Sequence, residues 1–228
     1  MIKIENTEVF GWESAIRGMR NPMNSWAKSD SWYGCRYGKH GHREADTCGD
    51  ACRFDCEYIL GSNDLDLMKK LIKAGSDHSK FMRMINVTCD ITGPLFWWKE
   101  CDTYKVGTVR NSCSTMHKIH AKEFTAEDFS FEKVLPDVDS CSYILGRLNY
   151  ARKMYLETQD KAYWYSMIQL LPSSYNQRAT VQMNYQVLRN IYHSRKNHKL
   201  DEWHDFCHWI EKLPYSELIT DMTCEEEI

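Results

Sequence analysis

The chain has 228 residues, enough for one sizeable hydrophobic core or two small ones. Its 43% hydrophobic and 27% charged residues are ordinary for a globular protein, and its net charge of −3 argues against a general nucleic-acid binder. No apolar run approaches the roughly twenty residues that cross a bilayer, and the first ten residues lack the apolar segment of a secretion signal. We therefore expect a cytoplasmic protein of one domain, residues 1–228, whose ten cysteines are mostly reduced thiols.

The N-terminal quarter predicts one strand, one short helix and an insertion. Residues 2–10 alternate apolar and charged side chains, as a half-buried strand does, and Glu13 to Met19 suits a helix that ends before Pro22. Residues 32–61 are rich in Gly and Cys. We interpret this segment as a surface insertion with a hairpin and a short helix.

The same insertion offers an alternative, a metal-binding module. Cys48, Cys52 and Cys56 are spaced by four and would align on one helix face. Cys35, His40 or His42 could supply a fourth zinc ligand. Because a second close Cys pair is missing, and free Cys is commonly a small buried hydrophobe, we favour no metal.

Clear periodicities follow in the middle of the chain. Asn63 is placed to cap a helix that continues to Ala74, and alternation from Ile85 to Thr92 predicts a strand. Gly93-Pro94 then opens an aromatic-rich helix over 95–104.

The second half is predicted to be mainly helical. Asp137 or Asp139 can cap a long helix, and a second helix covers 160–170. After Pro172, about twenty residues are predicted to be helical, and a last amphipathic helix surrounds Trp203.

The segment from Ser173 to Leu200 carries a local excess of positive charge. It contains five Lys or Arg and two His but no Asp or Glu. On a helix, Asn184 and Arg195 would share a stripe with apolar residues, and such polar groups need hydrogen-bond partners when buried. The partners are either internal groups and solvent, or a planar anionic ligand.

The pattern Asn184-x5-Asn190-x4-Arg195-x2-His198, preceded by Leu-Pro and followed by Trp203, resembles the C-terminal half of the flavin-dependent thymidylate synthases. The resemblance implies that Asn184, Asn190 and His198 contact FAD. It also implies that Arg195 contacts the nucleotide and stabilises negative charge on the pyrimidine carbonyl during catalysis. His198 follows Arg195 one residue sooner than in the family pattern.

Two further family segments are altered. Where the family has a His-rich loop that touches flavin, this chain has GSDHSKF, which implies flavin contacts from His78 and Ser79. The family signature is Arg-His-Arg-x2-Ser-x-Asn-x2-Ser-x-Arg. Laid on without gaps, it falls on Thr103, Tyr104, Lys105, Thr108, Arg110, Cys113 and Thr115. Only Lys105 and Thr108 keep the chemistry, and a one-residue slip recovers Ser114. This departure points to a changed substrate or to lost activity.

Candidate substrate contacts follow from the same comparison. Lys105 and Ser114 occupy signature positions, and Cys113 is a further possible contact. Arg178 and Arg110 are candidates for the nucleotide phosphate, because a guanidinium offers two parallel donors.

The resemblance implies an α+β fold in which a mixed or antiparallel sheet is flanked by long helices. It also implies a homotetramer with sites between subunits. The expected reaction is C5 methylation of dUMP to dTMP with FAD, methylenetetrahydrofolate and NADPH, in which the cofactors carry the chemistry. The alternatives are C5 hydroxymethylation of dCMP or dUMP, and a non-catalytic oligomer that binds nucleotide or flavin.

Overall fold

A computed structural model describes residues 1–35, 56–134 and 139–221. In these ranges the strands are β1 (Lys3–Phe10), β2 (Trp32–Cys35), β3 (Cys56–Ile59), β4 (Asn86–Pro94), β5 (Val109–Ser112) and β6 (Asn176–Asn184). The helices are α1 (Trp12–Arg20), α2 (Ser62–Lys73), α3 (Leu95–Cys101), α4 (Ser140–Thr158), α5 (Lys161–Leu170), α6 (Tyr185–Arg195), α7 (Asp201–Glu211) and α8 (Glu217–Thr220). None of the described helices is both long enough and apolar enough to span a membrane.

A four-stranded sheet in the order β1-β4-β6-β5 is the main β-structure of the described chain. β5 and β6 run antiparallel, with Val109 opposite Gln182. In β4 the side chains of Val87, Cys89 and Ile91 are buried while their neighbours are partly exposed, which is the period of two of a strand with one face in the core. The α+β class expected from the sequence is confirmed.

The predicted helix after Pro172 is wrong over its first half, because residues 176–184 form β6. The side chains of Ala179, Val181 and Met183 alternate inward, and this period of two prevails over the helix propensity of Gln, Arg, Ala and Met. The second half is helical as predicted, and forms α6.

The cap assigned to Asn63 is also wrong, since α2 begins at Ser62 and a distant carboxylate caps it. Asp30 accepts hydrogen bonds from the backbone N–H groups of Asn63 (3.0 Å) and Asp64 (3.1 Å). A carboxylate at this position satisfies two of the free N–H groups of the first turn. Of the candidate caps for α4, Asp139 lies at the N-cap position without a side-chain capping bond, and Asp137 lies outside the described residues.

β2 and β3 pair antiparallel at the two ends of the Gly- and Cys-rich segment, as the hairpin interpretation expected. The predicted short helix and most of the candidate metal ligands lie in residues 36–55, outside the described ranges. Among the residues that are described, no group of three or more His, Cys, Asp or Glu side chains is arranged to hold a metal ion.

The chain divides into two compact units. The first comprises Met1–Glu8, Thr88–Gln182 and Arg195–Trp209, and the second comprises Val9–Val87, Met183–Ser194 and Ile210–Ile228.

The first unit contains two buried clusters. One consists of Ile119, Phe124, Phe129, Leu148, Ala151 and Met167. The other is aromatic: the ring of Trp97 lies 5.1 Å from that of Trp203 and 5.7 Å from that of Phe206, and all three side chains are fully buried. Tilted ring pairs at these distances stabilise a core beyond their buried area. This aromatic cluster supports α3 and α7.

The second unit is organised around the buried carboxylate of Asp64. Its Oδ1 accepts from Arg20 at 2.7 Å, and its Oδ2 accepts from the hydroxyls of Ser29 (2.7 Å) and Ser31 (2.6 Å). Burial, the largest single influence, raises the pKa of Asp64, but the hydrogen bonds from Ser31, Ser29 and Arg20 together outweigh it and lower the pKa below its ordinary 3.8. The carboxylate therefore stays ionised and joins α1, α2 and the segment before β2.

Candidate active site

An open cleft of about 560 Å³ lies in the first unit. Its walls are formed by Phe96, Lys99, Glu100, Thr103, Ser173, Arg195 and His198. Four of these residues come from α3 and the turn that follows it, at positions i, i+3, i+4 and i+7. This spacing places them on one side of a helical segment.

The N-terminus of α3 is anchored to the segment before β6. The backbone N–H of Leu95 donates to the carbonyl of Tyr175 (3.0 Å), and that of Phe96 donates to the carbonyl of Ser173 (2.9 Å). These bonds satisfy two donors that every helix start leaves unpaired. They also hold Ser173 beside the polar side of α3.

Arg195, the last residue of α6, is held in the cleft by four contacts. Its Nε donates to the hydroxyl of Tyr104 at 2.9 Å, and its Nη1 donates to Oε2 of Glu100 at 2.8 Å. Its guanidinium carbon lies 4.9 Å from the centre of the Trp203 ring and 5.5 Å from that of Tyr104. Stacking on aromatic rings and charge-assisted hydrogen bonds fix the plane of the guanidinium.

His198 contacts the same carboxylate. Its Nδ1 accepts from the backbone N–H of Leu200 at 3.2 Å, so the neutral ring carries its proton on Nε2. That Nε2 lies 3.4 Å from Oε2 of Glu100. Glu100 thus joins the two sequence-predicted residues of the cleft.

Two basic side chains of the cleft wall, Arg195 and Lys99, differ in whether a carboxylate neutralises them. Arg195 is paired with Glu100, whereas the ammonium of Lys99 has no ion-pair partner among the residues that the structure describes. Because Lys99 is exposed, its charge is the one that an incoming anion meets.

The other predicted substrate contacts have partners of their own in the first unit. Arg178 pairs with Asp90 (2.8 Å), and Arg110 pairs with Asp102 (3.0 Å) and stacks on Trp98. Hydrogen bonds from Thr180, Asn6 and Arg178 lower the pKa of Asp90 to about 2. None of these predicted contacts is a wall residue of the cleft, and the same holds for three exposed residues: Lys105, Cys113 and Ser114.

The predicted flavin contacts other than His198 belong to the second unit, where three polar side chains form a chain. The hydroxyl of Ser79 donates to Gln186 (3.4 Å), and the amide of Gln186 donates to Oδ1 of Asn190 (3.1 Å). Asn184 accepts from the backbone N–H of Val187 (3.0 Å) and so caps α6. His78 is exposed in the preceding turn.

Sequence reasoning found Arg195 and His198 but missed the α3 wall, including Glu100, and it missed Gln186. The spacing of Phe96, Lys99, Glu100 and Thr103 was a usable signal, because it places polar side chains on one side of an otherwise apolar helix. Gln186 precedes Asn190 by one helical turn, and that offset also predicts contact.

Solved structures share this architecture over nearly the whole chain. One is thymidylate synthase X (ThyX) from Helicobacter pylori with FAD and dUMP, which matches with a TM-score of 0.67 at 14% sequence identity and covers 99% of this chain and 100% of its own. The chain has the fold of a flavin-dependent thymidylate synthase. A second Helicobacter pylori structure, flavin-dependent thymidylate synthase ThyX complexed with FAD and dUMP, gives a TM-score of 0.64 at 15% identity, with 97% and 99% coverage. No model of a known protein family matches the sequence, and a search of curated proteins gives no match.

Proposed function

We propose that the chain is a flavin-dependent enzyme that transfers a one-carbon unit to C5 of a pyrimidine deoxynucleotide monophosphate, with methylation of dUMP to dTMP as the reference reaction. One observation carries the proposal. In a chain whose fold matches structures that contain FAD and dUMP, the arginine that the sequence pattern assigns to the nucleotide lines an open cleft.

Arg195 is the residue that we assign to the base. A guanidinium held by Tyr104, Glu100 and Trp203 is already oriented before a ligand arrives, so little conformational entropy is lost on binding. Charge that develops on a pyrimidine carbonyl would be stabilised by this fixed donor.

Lys99 is the residue that we assign to the phosphate. Within the described residues it is the cleft cation without a carboxylate partner, and an ammonium is a common phosphate ligand. Arg178, Arg110, Lys105 and Ser114 remain predictions as substrate contacts.

The second unit contains a donor set that suits FAD. Asn190 and Asn184 each use the side-chain oxygen in an internal hydrogen bond, which leaves the NH₂ groups as donors for ring carbonyls or phosphate oxygens. We propose that Ser79, Asn184 and Asn190 hold the cofactor, with His78 as a further contact, and His198 of the first unit remains a prediction as a flavin contact. When bound and reduced by NADPH, the flavin would supply the hydride, and methylenetetrahydrofolate would supply the one-carbon unit.

We also propose that the chain works as a homotetramer with sites between subunits. This assembly would bring residues of neighbouring copies to one site. Those residues would supply substrate or cofactor contacts that the altered signature segment no longer provides.

Flavin uptake and nucleotide binding test the proposal. The purified chain is expected to bind FAD with visible absorption that bleaches when NADPH is added. Arg195→Ala should weaken binding of the pyrimidine nucleotide by roughly 10- to 100-fold, because an oriented charged donor is lost. Arg147→Ala is the matched control, since Arg147 is exposed on α4 outside the cleft. A preparation that takes up no FAD, or an Arg195→Ala variant with unchanged nucleotide affinity, would contradict it.

A further inference from the structure

We infer that Glu100 determines base recognition: its carboxylate accepts an N–H of the pyrimidine while Arg195 donates to the acceptor next to that N–H. The inference rests on the proposed function and adds a specificity-determining residue to it. The sequence pattern assigned no role to Glu100.

The geometry of Glu100 leaves one carboxylate oxygen for a ligand. Both side-chain contacts that the described residues make with it go to Oε2, from Arg195 at 2.8 Å and from His198 at 3.4 Å. A carboxylate has two oxygens and about four lone-pair sites, so Oε1 can accept a further N–H. The Glu100 side chain is 39% exposed and lines the cleft, so a ligand can reach it.

Glu100 and Arg195 together therefore present a hydrogen-bond acceptor beside a donor, which matches the donor and acceptor groups on the edge of a pyrimidine. Uracil has N3–H between two carbonyl oxygens, and cytosine has an N4 amino group next to the N3 acceptor. A carboxylate that accepts from the cytosine amino group and an arginine that donates to base acceptors are both known modes of base recognition. A phosphate has only acceptor oxygens and negative charge, so Glu100 repels it and favours the base at this place.

Two bases carry this shared chemistry, and methylated analogues distinguish them. The full chain with added FAD is titrated calorimetrically with dUMP and 3-methyl-dUMP, and with dCMP and N4,N4-dimethyl-dCMP. For the base that the protein uses, we expect methylation to weaken binding by roughly 10- to 100-fold, since the donor to Glu100 is lost. The pair of nucleotides that shows this loss identifies the base.

The ratio of the affinities for the parent and the methylated nucleotide, measured in variants, assigns the effect to Glu100. In Glu100→Ala, and in Glu100→Met, which retains the side-chain length, the parent nucleotide should bind only as well as its methylated analogue. Glu157→Gln is the matched control and should keep the wild-type ratio, because Glu157 is an exposed residue of α4 outside the cleft.

Distinct outcomes separate this inference from the proposed function. If wild-type protein binds parent and methylated nucleotides equally well while FAD uptake and the Arg195→Ala effect are as expected, the role of Glu100 is wrong and the proposed function stands. A preference for the parent nucleotide over its methylated analogue that persists in both Glu100 variants would also overturn the role of Glu100. If neither nucleotide binds and no FAD is taken up, both proposals fall. If Glu100→Ala does not fold, Glu100→Met, which retains the side-chain length, decides.

Discussion

Arg195 donates to Glu100 over 2.8 Å, and this ion pair joins two residues that are 95 positions apart in the chain. Arg195 is the last residue of α6 and Glu100 lies in the last turn of α3, and both side chains belong to the first unit and line the cleft. The side chain of Arg195 is 16% exposed and that of Glu100 is 39% exposed, so the guanidinium is largely shielded from solvent while its carboxylate partner faces the open cleft.

The hydroxyl of Tyr104 provides the second polar contact that orients Arg195. Tyr104→Phe removes this acceptor from Nε but keeps the aromatic ring. We expect nucleotide affinity to fall by about 2- to 10-fold, in line with the loss of one hydrogen bond, while FAD uptake is unchanged. Titration calorimetry with the nucleotide measures the effect. Tyr143→Phe, an exposed residue of α4, is the control, and an equal loss in that variant would contradict the assignment.

Gln186 links two proposed flavin contacts, Ser79 and Asn190. Gln186→Ala should weaken FAD binding by about 3- to 10-fold, because the amide of Asn190 loses the hydrogen bond that orients it. Fluorescence titration with FAD measures this affinity. Gln169→Ala, an exposed residue of α5, should leave it unchanged. Equal FAD affinity in the Gln186 variant and the wild type would remove Gln186 from the cofactor site.

Asp64 is predicted to contribute strongly to the stability of the second unit. Asp64→Asn leaves the buried charge of Arg20 without its partner, so the free energy of unfolding should fall by about 3–5 kcal/mol. Urea denaturation measures this change. Asp66→Asn, on the exposed side of the same helix, should change the stability by less than about 0.5 kcal/mol.

The contribution of Asp64 should also depend on pH. Its folded-state pKa is lowered below 3.8, so the stabilisation is fully present above that pH and is lost as pH falls through the folded-state pKa. The stability difference between wild type and Asp64→Asn is therefore expected to be constant near neutral pH and to shrink below about pH 3.8. A difference that grew on acidification would show that the sign of the pKa shift is wrong.

Periodicity predicted the elements whose core-facing residues follow one repeat. The strand around Val87 and the helix α7 were found because their buried positions recur regularly. β6 was missed because it contains several good helix formers (Gln177, Arg178 and Gln182), and the inward alternation of Ala179, Val181 and Met183 involves only three residues.

The cleft was only half predictable. Arg195 and His198 belong to a recognisable spacing, whereas Glu100 and Ser173 enter the site through tertiary contacts over long sequence separations. The capping of α2 by Asp30, some thirty residues away, is missed for the same reason. Local sequence rules cannot anticipate partners that only the packed fold brings together.

Release of tritium from C5 of labelled nucleotide tests the central claim most directly. The FAD-loaded chain, supplied with methylenetetrahydrofolate and NADPH, is incubated with [5-³H]dUMP or [5-³H]dCMP. We expect tritium release from one of the two, and a loss of at least about 10-fold in Arg195→Ala but not in Arg147→Ala. Binding of FAD and nucleotide without any tritium release from either base would contradict it and would identify the chain as a non-catalytic binding protein.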